Sequence, residues 1–178
     1  TALSPAGDAK ARAIMALETV LREIERGRGP ERDPLNYAFT LFGLPGTFPW
    51  GWRVEGHHLI VNVTLAGPEQ VRITPTFWGS NPARIPHGPQ AGHRVMGREY
   101  HLGLELARSL SEAQRRLAVI GSRSLGNIVT ERGRAQELQV PTGLPFADLD
   151  DGQRDLLMAI AAEHVGNAVD ARGRHYAD

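Results

Sequence analysis

Apolar residues in the first part of the chain recur at the spacing of an α-helix. The stripe consists of Ile14, Leu17, Leu21 and Ile24. Such positions, three or four apart, lie on one face of a helix. Ser4 followed by Pro5 is a favourable N-cap and first-turn pair. The pattern therefore predicts a helix over 4–27, with Glu18 and Arg22 one turn apart on its solvent face.

Over residues 36–78 the period of the apolar positions changes to two, as in half-buried strands. Four stretches show this alternation and are separated by Gly/Pro turns: "NYAFTLFG", "PWGWRVEG", "HHLIVNVTLAG" and "QVRITPTFWG". The pattern predicts an antiparallel β-meander of about four strands.

The second and third strands are predicted to join at a two-residue turn, Glu55-Gly56, because glycine readily adopts the positive φ that such turns need. This register places Arg53 opposite His58. Alternation then puts His57 beside Trp52 on an apolar face. The opposite face is polar and carries Arg53, His58, Asn62, Thr74 and Thr76. The two histidines are therefore predicted to point to opposite sides of the sheet.

The remainder of the chain is predicted to form a loop and then helices. Residues 79–97 contain "SNPARIPHGPQAGHR", a proline-rich segment expected to be an ordered flap. Residues 98–170 are helical, and both "SEAQ" and "DDGQ" have the form of a capping box. The expected fold is α+β, an antiparallel β-meander flanked by helices. The length predicts a single domain over 1–178, and the start without methionine suggests a portion of a longer parent chain.

Charge and composition narrow the class of partner. Lys and Arg together number 20, as do Asp and Glu, and the formal net charge is +0. Without an excess of one sign, neither nucleic acid nor an anionic membrane is an expected partner. The chain has no cysteine, which excludes disulfides, thiolate metal sites and a cysteine nucleophile. A small-molecule ligand or substrate is expected, and the compartment is left undetermined.

Three interpretations of the polar face are open. The first is a solvated sheet surface with one half-buried histidine. The second is a metal site using His57 or His58 with Glu55, since imidazole and carboxylate suit zinc, iron or manganese. The adjacent Arg53 argues against a cation there. The third is an anion site in which Arg53, His58 and Arg84 bind a carboxylate.

Other residues near this face have expected positions. In "FWGSNPAR", Asn81 either hydrogen-bonds the backbone of the Asn-Pro turn or projects with Arg84 over the sheet edge near His58. Trp52 is a candidate wall of a substrate pocket. His164 falls on the apolar stripe of the last helix and is expected to be packed in the core. A neighbouring guanidinium predicts a pKa of His58 below about 6.5.

Several sequence blocks occur together, namely "WGWRVEGHH", "FWGSNPA" and the paired "L(S/D)..QR" helix starts. With them the chain resembles the bacterial and fungal proteins grouped as domain-of-unknown-function family 3500, from "ALETVLREIE" to "LLMAIAAEH". The resemblance implies no particular reaction. It implies a further C-terminal stretch rich in histidine and asparagine, so that a missing segment or a second chain would complete the site.

The hypothesis from sequence is a metal-dependent enzyme, a hydrolase of a small anionic or polar substrate. Its site lies at the end of the meander. The assigned catalytic residues are Glu55, His58 and Arg53; the substrate-binding residues are Trp52, Asn81, Arg84 and Thr76; the metal ligands are His57 and His58. The alternative is a non-catalytic module that binds a small anion.

Overall fold

The computed structural model of the chain describes residues 2–123, 126 and 140–168. In chain order the regular elements are α1 (Pro5–Glu25), β1 (Ala38–Phe42), β2 (Trp50–Gly56), β3 (Leu59–Gly67), β4 (Gln70–Arg72), β5 (Thr76–Trp78), α2 (Gly97–Ser109), α3 (Glu112–Ala118), a 3-10 turn (Phe146–Asp148) and α4 (Asp151–Val165). The predicted α+β class is confirmed. No helix among the described residues is both long enough and apolar enough to cross a bilayer.

The described residues cluster into two compact units. One runs up to Arg98 and resumes at Ala162, and the other is Glu99–Ala161. The first contains the sheet and α1, and the second contains α3 and most of α2 and α4. The single domain expected from chain length stays a prediction.

The sheet is the predicted antiparallel meander, in the order β1-β2-β3-β4, with β5 also paired to β3. The fourth predicted strand is therefore two short strands along one neighbour. Arg72 of β4 lies opposite Thr64, whereas Thr76 of β5 lies opposite Val61. The two registers differ by one residue. Successive side chains of a strand point to opposite faces of the sheet. The offset therefore places Thr76 on the face opposite to that of Arg72, although both residue numbers are even.

Helix α1 covers one face of the sheet and forms the core with β3. Ser4 caps the helix as predicted, because its hydroxyl accepts a hydrogen bond from the Gly7 amide. The buried cluster consists of Ala11, Ile14, Leu59, Val61 and Val63. The alternate residues of β3 thus pack against the apolar stripe of α1. Burial of this stripe, rather than helix propensity, stabilises α1.

The Glu99–Ala161 unit is held by two linked capping boxes. Ser111 and Gln114 form one at the start of α3, and Asp150 and Gln153 form the other at the start of α4. The two glutamine amides also pair reciprocally, with N···O distances of 2.8 and 3.0 Å. The two similar helix starts in the sequence therefore form one hydrogen-bonded unit, in which the side-chain amide of each cap glutamine bonds to that of the other.

Replacing Gln153 by alanine should lower the free energy of unfolding by about 1–3 kcal/mol. The side chain is buried, and its removal breaks the cap bond to the Asp150 amide and the bond to the Ser109 carbonyl. Urea denaturation of the variant measures the loss, with Gln90→Ala at an exposed position as the control. Equal midpoints for the two variants would contradict a stabilising role for the glutamine pair.

Candidate functional site

The β2–β3 hairpin turns at the two histidines, not at Glu55-Gly56. Gly56 pairs with Leu59, which leaves His57 and His58 as the two central residues. His58 has a φ of 62°, the positive value that a type II turn requires at its second central position. Histidine is among the non-glycine residues enriched in this left-handed region. The predicted turn was therefore wrong by two residues.

Tyr37 explains why glycine occupies position 56 without forming the turn. A Cβ atom on Gly56 would lie 2.4 Å from the Tyr37 ring, so the ring packs directly on the glycine backbone. The Tyr37 hydroxyl donates a 2.5 Å hydrogen bond to the His57 carbonyl. Burial raises the pKa of Tyr37 to about 12, so this hydroxyl remains a donor at neutral pH. Tyr37 thereby holds the histidine turn in place.

The two imidazoles contact each other instead of lying on opposite sides of the sheet. Their ring centroids are 3.9 Å apart, with an angle of 62° between the planes. The back-to-back arrangement predicted from strand alternation was wrong, because alternation does not apply to turn residues. Both rings belong to one site at the tip of the hairpin.

Helix α1 contributes a buried carboxylate to this site. Glu18 Oε1 lies 2.6 Å from Nδ1 of His57, and only 5% of the Glu18 side chain is exposed. The His57 side chain is 31% exposed. In the neutral imidazole, a carboxylate at Nδ1 favours the tautomer with its proton on that nitrogen, so Nε2 presents a lone pair. The arrangement orients a half-exposed imidazole from behind.

Arg32 closes the buried side of the Glu18–His57 pair. Its Nη1 lies 3.9 Å from the second carboxylate oxygen of Glu18, and its guanidinium forms two 2.9 Å hydrogen bonds with Glu25. The bond from Arg32 lowers the pKa of Glu25. The Arg32 side chain is only 12% exposed. Arg32 is thus fixed by Glu25 and compensates part of the negative charge on Glu18.

His58 is held between aromatic and backbone groups. Its carbonyl accepts a 2.8 Å bond from the Gly79 amide, and its ring stacks on Phe77 at 6.3 Å between centroids. Burial lowers the pKa of His58, and the adjacent His57 lowers it further. A lowered pKa of His58 was predicted from the sequence, but the predicted cause, a neighbouring Arg53, was wrong.

A histidine NMR titration should therefore give a pKa below about 6.5 for His58. The unfolded chain then binds this proton more tightly than the folded chain. The stabilising contribution of neutral His58 is complete above about pH 6.5 and is lost as the pH falls toward the folded-state pKa. The variant His58→Asn assigns the resonance and tolerates positive φ. A measured pKa of 6.5 or higher would refute the effect of burial.

Arg53 and Glu55 form a pair of their own on the other face of the hairpin. The distance from Arg53 Nη2 to Glu55 Oε1 is 2.6 Å, and the guanidinium lies 5.5 Å from the centroid of the Phe42 ring. In the sheet Arg53 lies opposite Asn62, not His58. The predicted grouping of Arg53 and Glu55 with His58 is therefore replaced by Glu18, Arg32 and Tyr37 around His57.

The predicted substrate-binding residues are dispersed. Trp52 is half-buried, packs against the core cluster and lies 5.8 Å from the Phe39 ring. Asn81 and Arg84 are exposed in the flap, where Arg84 lies beside Gly92. Thr76 lies opposite the buried Val61, because of the offset between β4 and β5, and so leaves the predicted polar face.

His164 is exposed near the end of α4, so the expected core position was wrong. His164 does lie on the helix face that carries the apolar stripe of α4, but that face is not buried at this residue. Periodicity identifies a face and does not show how far the packed region extends.

Sequence reasoning missed the three residues that support His57. Glu18 was expected in solvent, although its spacing from Ile14 and Leu21 places it on the buried stripe of α1. That spacing was the signal that could have found it. Arg32 and Tyr37 lie in the connection before β1 and carry no comparable pattern.

A metal at this turn would need more ligands than the described residues supply. No group of three or more His, Cys, Asp or Glu among them is arranged to hold a metal ion. A catalytic zinc site has three protein ligands. Here Glu18 is already hydrogen-bonded to His57, which leaves two imidazoles. The described residues therefore do not fit the expected metal.

Comparison with known proteins supports the sequence resemblance and adds no activity. A search of curated proteins and a search of solved structures each find no match. The family model described as "Protein of unknown function (DUF3500)" matches residues 1–177. The chain therefore belongs to the DUF3500 family, as its sequence blocks indicated.

Proposed function

We propose that the chain is a hydrolase of small polar esters in which His57 is the general base and Glu18 orients it. The observation that carries the proposal is the 2.6 Å contact between the buried Glu18 carboxylate and Nδ1 of the half-exposed His57. A base whose second nitrogen is fixed by a carboxylate is the arrangement used to activate water or a hydroxyl.

The surroundings of His57 suit this role. Tyr37 fixes the His57 backbone, and Arg32 compensates charge behind Glu18, so the imidazole has little freedom to turn. Fixed orientation lowers the entropic barrier of the reaction. The exposed part of the ring leaves access for water and for a small substrate.

The proposed hydrolysis of the ester requires only water and His57. Nε2 of His57 accepts a proton from water while the water oxygen bonds to the carbonyl carbon of the ester. The bond between that carbon and the alkoxy oxygen then breaks, and the departing oxygen takes the proton from His57. The products are an acid and an alcohol. The negative charge of Glu18 stabilises the imidazolium that forms between the two proton transfers.

The alternative of an anion-binding module has weaker support. The predicted anion site consisted of Arg53, His58 and Arg84. Arg53 has Glu55 as a carboxylate partner at 2.6 Å, which reduces the charge available to a bound anion. Arg84 is exposed in the flap.

The test is hydrolysis of p-nitrophenyl acetate by the purified chain. In His57→Gln we expect kcat/KM to fall by about 10²–10⁴-fold, the usual contribution of a general base. The control is His101→Gln, at an exposed position on α2, which should retain the wild-type rate. Equal loss in both variants, or no wild-type turnover above that of free imidazole, would contradict the proposal.

Elemental analysis of the same preparations tests the metal-dependent version. A stoichiometric transition metal that disappears in His57→Gln would replace the metal-free step by the metal-dependent hydrolysis expected from sequence.

A further inference from the structure

Strand β1 lies at one end of the sheet order and pairs on one side only, with β2. Its register with β2 runs without a bulge, and its sequence, "AFTLF", contains no charged residue and no proline. Natural edge strands usually carry one of these features, because they prevent pairing with another chain. Among the described residues, no backbone hydrogen bond reaches β1 from outside its pairing with β2. The outer edge of β1 is therefore open and unprotected.

The β2–β3 hairpin shows which backbone groups of β1 point outward. Gly56 and Leu59 close its two-residue turn and so form a hydrogen-bonded pair. Such pairs recur at every second residue, and the intervening residues of β2 direct their N–H and C=O groups toward β1. Thr40 lies opposite one of these intervening residues and bonds to β2. By alternation, the N–H and C=O groups of Phe39 and Leu41 point away from β2, which gives the open edge two donors and two acceptors.

The edge also carries exposed apolar side chains. Phe39 is 60% exposed and Leu41 is 52% exposed, on the face of the sheet whose β3 residues pack against α1. Four more exposed apolar side chains lie close by in the chain, namely Leu35, Phe42, Leu44 and Phe48. The three phenylalanines alone expose about 300 Å², since an aromatic side chain buries about 150–250 Å² when covered. With the three leucines, this area is most of the about 800 Å² that each partner buries in a standard interface.

We propose that the chain forms a two-fold symmetric dimer in which β1 pairs antiparallel with β1 of a second copy. When Phe39 lies opposite Leu41 of the partner subunit, all the outward groups of both strands pair, in four hydrogen bonds. A shift by two residues leaves half of these groups without a partner in the other β1. The register that satisfies the edge is therefore its own two-fold complement, which identifies the second copy as the occupant.

The side chains agree with this register. Phe39 meets Leu41 of the partner subunit on one face, and on the other face the small Ala38 meets the large Phe42 of the partner subunit. Thr40 lies opposite Thr40 of the partner subunit at the two-fold axis. This central pair is not hydrogen-bonded through its backbone, so its Cα atoms lie about 4.5 Å apart. The proposal does not rest on the hydrolase activity.

The first test is sedimentation velocity of the full chain at increasing concentration. We expect a reversible dimer of twice the chain mass, with a Kd below about 100 μM. Thr40→Lys and Thr40→Glu should each raise the Kd at least about tenfold, because like charges then oppose each other at the axis. An equimolar mixture of the two variants should restore the dimer, because lysine then faces glutamate. Gln90→Lys and Gln90→Glu, at an exposed position, are the controls and should keep the wild-type Kd.

A disulfide tests the register directly. The chain has no cysteine, so Thr40→Cys introduces a single thiol. The expected Cα separation at the two-fold axis lies within the range that a disulfide bridges. Oxidised glutathione should therefore convert Thr40→Cys to a covalent dimer on a gel without reductant, whereas Gln90→Cys should stay monomeric.

A wild type that stays monomeric at about 500 μM would overturn the proposal. Hydrogen exchange at the Phe39 and Leu41 amides would then distinguish the occupants. Protection would assign the edge to another segment of this chain, and rapid exchange would leave it open to a strand of another protein. A dimer that withstands both charged variants would also overturn the proposal, because its interface would lie elsewhere. If the charged variants fail to fold by circular dichroism, the cross-linking of Thr40→Cys still decides, since no covalent dimer would refute the register.

Discussion

Replacing Glu18 by glutamine should lower kcat for p-nitrophenyl acetate by about 10²–10⁴-fold with little change in KM. Glutamine keeps the shape of the side chain but loses the charge that stabilises the imidazolium of His57. Its amide group can also donate to Nδ1, which would move the ring proton to Nε2 and remove the lone pair that accepts a proton from water. Steady-state kinetics of Glu18→Gln measure the effect.

The matched control is Glu23→Gln, an exposed carboxylate on the same helix. It should retain wild-type kinetics. Thermal unfolding of both variants checks that the fold is intact. If Glu18→Gln is folded and keeps the wild-type kcat while His57→Gln loses it, Glu18 has only a structural role. A rise in KM alone would indicate substrate binding instead of orientation of the base.

Replacing Gly51 by alanine should destabilise the sheet by about 1–3 kcal/mol or more. Gly51 is buried in β2, and a Cβ atom there would lie 2.4 Å from the Val63 carbonyl oxygen. That oxygen belongs to the backbone of β3, so relief of the clash requires the two paired strands to move apart. Urea denaturation followed by circular dichroism measures the loss.

Gly103→Ala is the appropriate control, because it makes the same chemical change where there is room. Gly103 lies within α2, and nothing lies within 4 Å of an added Cβ atom. Alanine there should stabilise the helix by up to about 1 kcal/mol. If Gly51→Ala unfolds at the same urea concentration as the wild type, the close approach of β2 and β3 at this residue is incorrect.

The faces of the hairpin were predictable even though its turn was not. The sequence placed Trp52 opposite Leu59, whereas the structure places it opposite Val63. The two registers differ by an even number of residues, so every strand residue of the pair keeps its predicted face. This is why the apolar side of β3 was identified correctly while the positions of the two histidines were not.

The position of the candidate site could be predicted from the sequence, but the set of residues that forms it could not. The histidines, glycines and tryptophans of "WGWRVEGHH" marked the correct hairpin. Glu18, which completes the site, is 39 positions from His57 in the sequence. Gly56 was predicted to be a turn residue, whereas its lack of a side chain allows the contact with Tyr37, 19 positions away. Local propensity has no information on contacts over such separations.

By itself the sequence determined the α+β class, the position of α1, the first three strands of the meander and the two capping boxes. These follow from periodicity and from hydrogen bonds between residues a few positions apart, which are the same wherever the segment packs. The tertiary structure alone decided that Glu18 meets His57 and that Thr76 moves to the inner face. Each of these depends on where distant backbones approach one another, because only that approach fixes which polar groups are buried together.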